Sequence, residues 1–206
     1  MTAPGFLLDL DRCVGCGACV LACRLENDVP QGISWRRIVS LNLPRMRGGP
    51  TYHLTLACHH CRNPPCEAAC PSGALEKGPE GIVRLHGDRC LGCRYCEMAC
   101  PFGAPTFDAD RGVMTKCHLC VHRLEKDLLP ACVAACPTAA LRFSMDVERG
   151  GGTFVAADTV PGFVDPAGAR PGLRIGLPGG GIRTARFAEL EEALSPGGDG
   201  GREGES

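Results

Sequence analysis

At 206 residues and a formal net charge of −1, the chain has room for one compact domain with appendages and shows no basic footprint for nucleic acid or an anionic membrane. Its apolar content is unusual: sixteen Cys, but only seven Phe, two Tyr and one Trp, while 28 Gly and 17 Pro make up about a fifth of the residues. Such a chain builds little regular secondary structure, and something besides side-chain packing must hold it together.

Read from the start, a short strand over 6–10 leads into a first cysteine quartet, Cys13, Cys16, Cys19 and Cys23, spaced C-x2-C-x2-C-x3-C. Residues 34–43, with Ile38, Val39, Leu41 and Leu43, read as an inserted strand or hairpin arm, and 34–57 as an insertion that ends in a strand over 52–56. The second quartet is Cys58, Cys61, Cys66 and Cys70, spaced C-x2-C-x4-C-x3-C and followed by Pro71. Between apolar ends, 75–85 turns at Gly78-Pro79-Glu80-Gly81 into a strand over 82–85. The third quartet, Cys90, Cys93, Cys96 and Cys100, repeats the first spacing and is followed by Pro101. The fourth, Cys117, Cys120, Cys132 and Cys136, is spaced C-x2-C-x11-C-x3-C, followed by Pro137 and a strand over 141–145. Residues 146–185 are Gly/Pro-rich and read as extended, wrapping over a surface or a partner. Phe187, Leu190, Ala193 and Leu194 lie at helical spacing, and 195–206 is too polar to bury anything and reads as disordered. The division expected is therefore 1–145, 146–194 and 195–206.

No cysteine falls outside a quartet, so the quartets are an internal repeat. No charged leader precedes an apolar stretch, and no window approaches the roughly 18 apolar residues of a spanning helix. The chain is therefore expected neither to insert in a membrane nor to be exported on a signal of its own, and cysteine this dense then argues for metal ligation over disulfides. Structural zinc pairs two C-x2-C knuckles, whereas here four quartets each end C-x3-C. That pattern fits [4Fe–4S] cubanes. A C-x2-C-x2-C loop coils around one cluster, with small residues (Gly15, Gly17, Ala18 and Gly92) letting backbone N–H groups approach. The fourth Cys is carried by a helical turn to a neighbouring cluster, and the following Pro redirects the chain. Arg24 stands in place of that Pro after the first quartet. Four oxidised clusters of formal charge −2 would bring the loaded protein to about −9.

The order of the quartets, the x11 spacer, and the stretches CPSGALEKGPEGIV, CLGCRYCEMACPFGAP and GVMTKC resemble the iron–sulfur subunit of the dimethyl sulfoxide reductase family of molybdopterin oxidoreductases, densely over 5–145 and loosely beyond. The resemblance implies an α+β fold of two pseudo-symmetric bacterial-ferredoxin-like modules, each carrying two clusters, plus an irregular C-terminal extension. It pairs quartets one and four in one module and two and three in the other. One cluster would use Cys90, Cys93, Cys96 and Cys70, its neighbour Cys58, Cys61, Cys66 and Cys100, a third Cys13, Cys16, Cys19 and Cys136, and the last Cys117, Cys120, Cys132 and Cys23. In nitrate reductase relatives a Trp stands where this chain has Cys96 and the site is [3Fe–4S], so Cys96 implies four cubanes here.

The resemblance also implies partners: a molybdopterin catalytic subunit at one end of the wire and an integral membrane, quinone-reactive anchor at the other, with membrane association through those subunits on either side of the membrane. The architecture is shared with the electron-transfer subunits of hydrogenase and formate-oxidising complexes, and a freestanding polyferredoxin is the remaining alternative. The extension 146–185 is the candidate for clasping a partner.

No dinucleotide fingerprint, P-loop or Ser/His/Asp arrangement is present, so no catalytic residue is expected. Arg12, Arg24, Arg62, Arg89, Arg94 and Lys116 lie beside or within the quartets and read either as offsetting cluster charge, Arg94 foremost, or as solvated surface charges and partner contacts. His53, His59, His60, His86, His118 and His122 are expected to hydrogen-bond or lie exposed, not to ligate. Tyr95 and Phe102 are expected to shield clusters from water, and Ser72 and Thr138 to cap local turns.

Overall fold

The computed structural model describes residues 3–41, 51–149, 153–157 and 168–177. The expected helix around Phe187 and the tail 195–206 lie outside the described residues. The fold is a small mixed α/β one. In chain order it runs β1 (Gly5–Asp9), α1 (Ala18–Glu26), β2 (Arg36–Leu41), β3 (Tyr52–Ala57), α2 (Pro65–Ala68), β4 (Leu75–Lys77), β5 (Val83–Leu85) and α3 (Tyr95–Ala99). It continues with β6 (Thr106–Asp108), β7 (Val113–Thr115), α4 (Val121–Leu124), α5 (Ala131–Ala134), β8 (Leu141–Ser144), β9 (Val155–Ala156) and β10 (Leu173–Gly176).

The strand leaving each quartet pairs antiparallel with the strand entering the next: β2 with β3, β4 with β5, β6 with β7. The ring closes because β8, after the fourth quartet, pairs antiparallel with β1, before the first. Local chemistry makes the turns. Gly81, at φ 87°, donates its N–H to the Gly78 carbonyl, and Gly78 donates to the Ile82 carbonyl. The β6–β7 turn, which spacing alone does not single out, is held by Asp108 Oδ1 accepting from the backbone N–H groups of Asp110 and Arg111.

The helices are one or two turns long and start on residues of special backbone. Gly17 (φ 78°), Arg94 (φ 63°) and Cys120 (φ 48°) precede α1, α3 and α4, while Pro64 and Pro130 precede α2 and α5. Pro71, Pro101 and Pro137 follow the last cysteine of their quartets and, lacking an N–H, end the helical turn. α1 packs on α5, and α2 on α3. Among the described residues no helix is long and apolar enough to cross a membrane.

Of the two expectations for the Gly/Pro-rich extension, wrapping over a surface or over a partner, its described parts take the first, on this chain's own surface. They form β9 and β10 on this chain's own sheet, whose strand order is β8-β1-β10-β9, with β10 parallel to β1. Leu173 and Ile175 alternate inward and are buried, as are Ala157 and Ala169. The compact unit thus crosses residue 145 and runs on to β10. The core is mixed in kind: Phe6, Leu8, Leu56, Ile82, Phe102, Leu119, Leu141 and Ile175 share it with buried cysteines, and a smaller cluster joins Cys66, Cys96, Leu75, Val83 and Met114.

Candidate metal centre

None of the sixteen cysteines is joined in a disulfide; ten are buried, four are half-buried, and two, Cys16 and Cys93, are exposed. The loop through Cys13, Cys16 and Cys19 turns at Gly15 (φ 66°) and Gly17, and the loop through Cys90, Cys93 and Cys96 turns at Gly92 (φ 66°) and Arg94. Side chains are excluded at two of these positions. A Cβ on Gly15 would sit 2.7 Å from the His53 ring, and one on Gly92 2.5 Å from the Gly112 carbonyl oxygen. In the fourth quartet Leu119 (φ 61°) and Cys120 turn the chain, and in the second His60 (φ 46°) does so.

The mutual charge of the sulfurs sorts them into sets drawn from different quartets. Burial raises the Cys13 pKa, and the neighbours that push it further are Cys19, Cys136 and Cys16. Burial takes Cys23 up to about 12, with Cys132, Cys120 and Cys19 adding and Arg36 opposing. Burial likewise takes Cys66 up to about 12, with Cys58, Cys100 and Cys96 adding and Lys116 opposing. Cys96 rises to about 11 through burial and then Cys70 and Cys90. Cys117 is raised by burial and then by Cys58, Cys23 and Cys132. Asn27 bridges Cys23 and Cys120, its Nδ2 lying 3.9 Å and 3.7 Å from the two sulfurs. The last cysteine of each quartet therefore faces sulfurs of another: Cys136 the first, Cys23 the fourth, Cys100 the second and Cys70 the third. Among the described residues no three His, Cys, Asp or Glu side chains converge tightly enough for a single metal ion. A buried thiol resists ionisation until a metal displaces its proton, so this donor set fits a thiolate-ligated metal group.

Donors converge on the sulfurs. Backbone N–H groups of Met114, Leu119, Leu141 and Ala104 point at Sγ of Cys90, Cys117, Cys136 and Cys100 at 3.3–3.5 Å. Ser72 and Thr138, expected as turn caps, carry their hydroxyls to 3.7 Å and 3.8 Å from the sulfurs of Cys70 and Cys136. At both of those thiols burial pulls the pKa up. The backbone N–H of Leu75 or Leu141, with the neighbouring hydroxyl and further N–H groups, outweighs it and leaves the value lowered.

The cations are distributed differently from the sequence expectation. Arg94, expected foremost, is exposed and paired with Glu97 at 2.7 Å; Arg62 pairs with Glu148, and Arg89 reaches Glu76 at 3.9 Å. Arg12 and Arg24 are exposed. Lys116 does lie inside, buried, donating from Nζ to the carbonyls of Val83 and Cys117. The residues that spacing missed are Arg36, Arg37 and Lys77. Arg36 is fully buried, Arg37 donates to the Phe102 carbonyl at 2.8 Å, and Lys77 donates to the carbonyls of Cys61 and His60. Tyr95 is 53 % exposed and shields nothing, whereas Phe102 is buried edge-on to His59 at 4.9 Å.

The histidines take structural places. His59 is held neutral by burial and by Arg36 and Arg37, its pKa driven down to about 3. His60 accepts the Val83 N–H on Nδ1. His53 meets Ser40, His86 meets Glu76, His122 meets Glu26 at 2.8 Å, and His118 stands edge-on to Trp35. Around the exposed Cys16 the neighbouring sequence leaves Val14, Leu21 and Leu25 exposed; around Cys93 it leaves Leu91, Tyr95 and Met98 exposed.

Two family models match the chain: a 4Fe-4S dicluster domain over residues 51–146 and a 4Fe-4S binding domain over 4–25. The chain is 39% identical over 175 residues to the "Probable anaerobic dimethyl sulfoxide reductase chain YnfG" of Escherichia coli, spanning 78% of this chain and 83% of that one. It is 41% identical over 155 residues to a further anaerobic dimethyl sulfoxide reductase chain of Escherichia coli, covering 69% and 73%. With the "Thiosulfate reductase electron transfer subunit PhsB" of Salmonella typhi it shares 43% identity over 141 residues, covering 66% and 73%.

Proposed function

The chain belongs to the iron–sulfur subunits of the dimethyl sulfoxide reductase family of molybdopterin oxidoreductases, and from that premise we propose that it is a wire of four [4Fe–4S] clusters held by all sixteen cysteines. It is a non-catalytic electron-transfer subunit that works beside a catalytic subunit. The ligand sets are Cys90, Cys93, Cys96 and Cys70; Cys58, Cys61, Cys66 and Cys100; Cys117, Cys120, Cys132 and Cys23; and Cys13, Cys16, Cys19 and Cys136. The observation that carries this is the grouping of sulfur charges across quartets, in which the foremost sulfur neighbours of Cys13, Cys23, Cys66 and Cys96 are members of the same set. Charge also links Cys96 to Cys66, Cys117 to Cys58 and Cys23 to Cys19, which supports a single row in the order given, with Cys93 and Cys16 at its two ends.

The same pairing supports two ferredoxin-type modules. α1 on α5 joins the first and fourth quartets, and α2 on α3 joins the second and third. The hairpins β2–β3 and β6–β7 correspond, as do β4–β5 and β8–β1. A bound cluster takes up and gives back one electron. The chain's part is to exclude water from ten of the thiols, to aim N–H and hydroxyl donors at sulfur, and to hold cations near the row. Exposed apolar side chains beside both terminal cysteines favour docking at both ends over free diffusion. One end would meet the molybdopterin catalytic subunit and the other a quinone-reactive membrane anchor, which would hold the chain at the membrane.

The test is to isolate the native complex anaerobically and count its metal. About sixteen iron and sixteen acid-labile sulfide per chain, with molybdenum in a large partner, is the expected result. About eight iron, or zinc in a colourless chain, would refute the four-cluster wire; nickel in the partner would move it to a hydrogenase-type complex.

A further inference from the structure

Arg36 opens β2 and is 2 % exposed, yet no carboxylate pairs with it among the described residues. Its Nη1 donates to the Thr55 hydroxyl at 2.9 Å, its guanidinium carbon lies 4.4 Å from the centroid of the Phe6 ring, and Nε and Nη2 are buried with no hydrogen-bond partner among the described residues. A guanidinium stays charged, and a buried charge persists only where another charge compensates it. The candidates are sulfurs. Burial works against the charged form, and ionised Cys132, Cys117, Cys19 and Cys23 more than offset it. Three of these belong to the set of Cys117, Cys120, Cys132 and Cys23, and Cys19 to the neighbouring set with Cys13, Cys16 and Cys136. The link to Cys19 has a direction. Because Thr55 Oγ1 accepts from Arg36, its own proton is free to be donated to Cys19 Sγ, 3.4 Å away.

We propose that Arg36 is the shared counter-charge of the two clusters held by the first and fourth quartets, acting directly on the Cys117/Cys132/Cys23 side and through the Thr55 hydroxyl on the Cys19 side, so that both are more easily reduced than they would be in its absence. The inference rests on the four-cluster reading. Its physical content is that reduction adds negative charge, which a fixed cation in a dry interior favours. Arg36 positions charge and ligates nothing. Its place in β2 also gives the segment 34–57 a role, since that hairpin is what brings Arg36 and Thr55 together across the two strands, two residues along from the Ile38↔Thr55 pair.

The experiment is an anaerobic redox titration of the purified complex, followed by electron paramagnetic resonance, on wild type, Arg36→Met, Arg36→Lys and Thr55→Val, with iron and sulfide counted in each. In loaded Arg36→Met two of the four potentials fall, each by at least a tenfold change in the reduced-to-oxidised ratio at fixed poise, about 59 mV for a one-electron couple. Arg36→Lys, which keeps the charge, retains most of both, and Thr55→Val lowers only one of the two. Loaded Arg36→Met with four unshifted potentials, or with all four falling together, overturns the proposal. If Arg36→Met does not load, Thr55→Val decides: one lowered potential upholds the relay and four unchanged ones overturn it. Wild type lacking four clusters would instead sink the four-cluster reading, leaving the two failures distinguishable.

Discussion

Ser72 and Thr138 stand two residues beyond Cys70 and Cys136, and each brings a hydroxyl toward the sulfur it follows. A hydrogen bond to a ligand sulfur withdraws charge from it and makes the attached centre easier to reduce. Taking a net hydrogen bond as about 1 kcal/mol, and 1.4 kcal/mol as 59 mV for one electron, Thr138→Val should lower one midpoint potential by up to about 40 mV with iron content unchanged. Voltammetry of the complex checks this; a potential equal to wild type would mean that the hydroxyl is not aimed at sulfur in the loaded protein. At this scale the cysteine pattern is legible because its spacing is local: in the first and third quartets three cysteines fall within seven residues, and no distant contact is needed to see them. Of the cations, Lys116 was legible and the others were not. Arg94 lies between two cysteines in sequence but turns out to Glu97, whereas Arg36 and Lys77, remote from any quartet's spacing rule, are folded inward by hairpins. Nearness along the chain says little about which charge a buried sulfur feels.

Gly15 and Gly92 occupy matching turns, and their surroundings predict unequal tolerance. Both have φ of 66°, where an added Cβ is strained by about 1–2 kcal/mol. At Gly92 the Cβ would also strike the backbone oxygen of Gly112, which cannot step aside, whereas at Gly15 it meets the His53 ring, which can rotate. Gly92→Ala should therefore destabilise the loaded protein by about 2–4 kcal/mol and reduce its iron content, with Gly15→Ala the milder of the two in an anaerobic melt. Equal losses would contradict this account of the loops. Gly17 offers an internal control: Arg94 holds the equivalent position at φ 63°, so a side chain is accommodated there. The strands that carry the loops were mostly readable as short apolar runs, and β1, β3, β5 and β8 fall within a residue or two of expectation. β10 was not, because Gly and Pro crowd its flanks and mask the alternation of Leu173 and Ile175. Since β10 lies against β1 with Ile175 fully buried, Ile175→Ala should cost about 2–5 kcal/mol in thermal unfolding. A free partner-binding arm would lose almost nothing.

The molecule as a whole is too poor in bulky apolar groups to hold this shape by packing alone. Among the described residues its α-helices have four to nine residues, below the length at which an isolated helix persists in water, and its strands have two to six. Ten cysteines sit in or beside the core, and Arg36 and Lys116 are buried cations with no carboxylate paired to either among the described residues. Strip the iron and the sulfurs lose the metal that keeps them ionised. Burial then holds Cys23 and Cys66 protonated up to about 12 and Cys96 up to about 11, so at neutral pH the counter-charge for those cations is gone. An uncompensated buried charge is worth several kcal/mol, and two of them approach the whole stability of an ordinary domain. Anaerobic chelation should therefore abolish cooperative unfolding and most far-ultraviolet dichroism together, not merely bleach the protein. Reloading should carry the opposite signature. Each thiol below its pKa must release a proton to bind iron, so apparent iron affinity rises with pH and falls as acid is added. An iron-free chain that keeps its dichroism and melts in one sharp transition would show that packing, and not metal, holds the ring of hairpins closed.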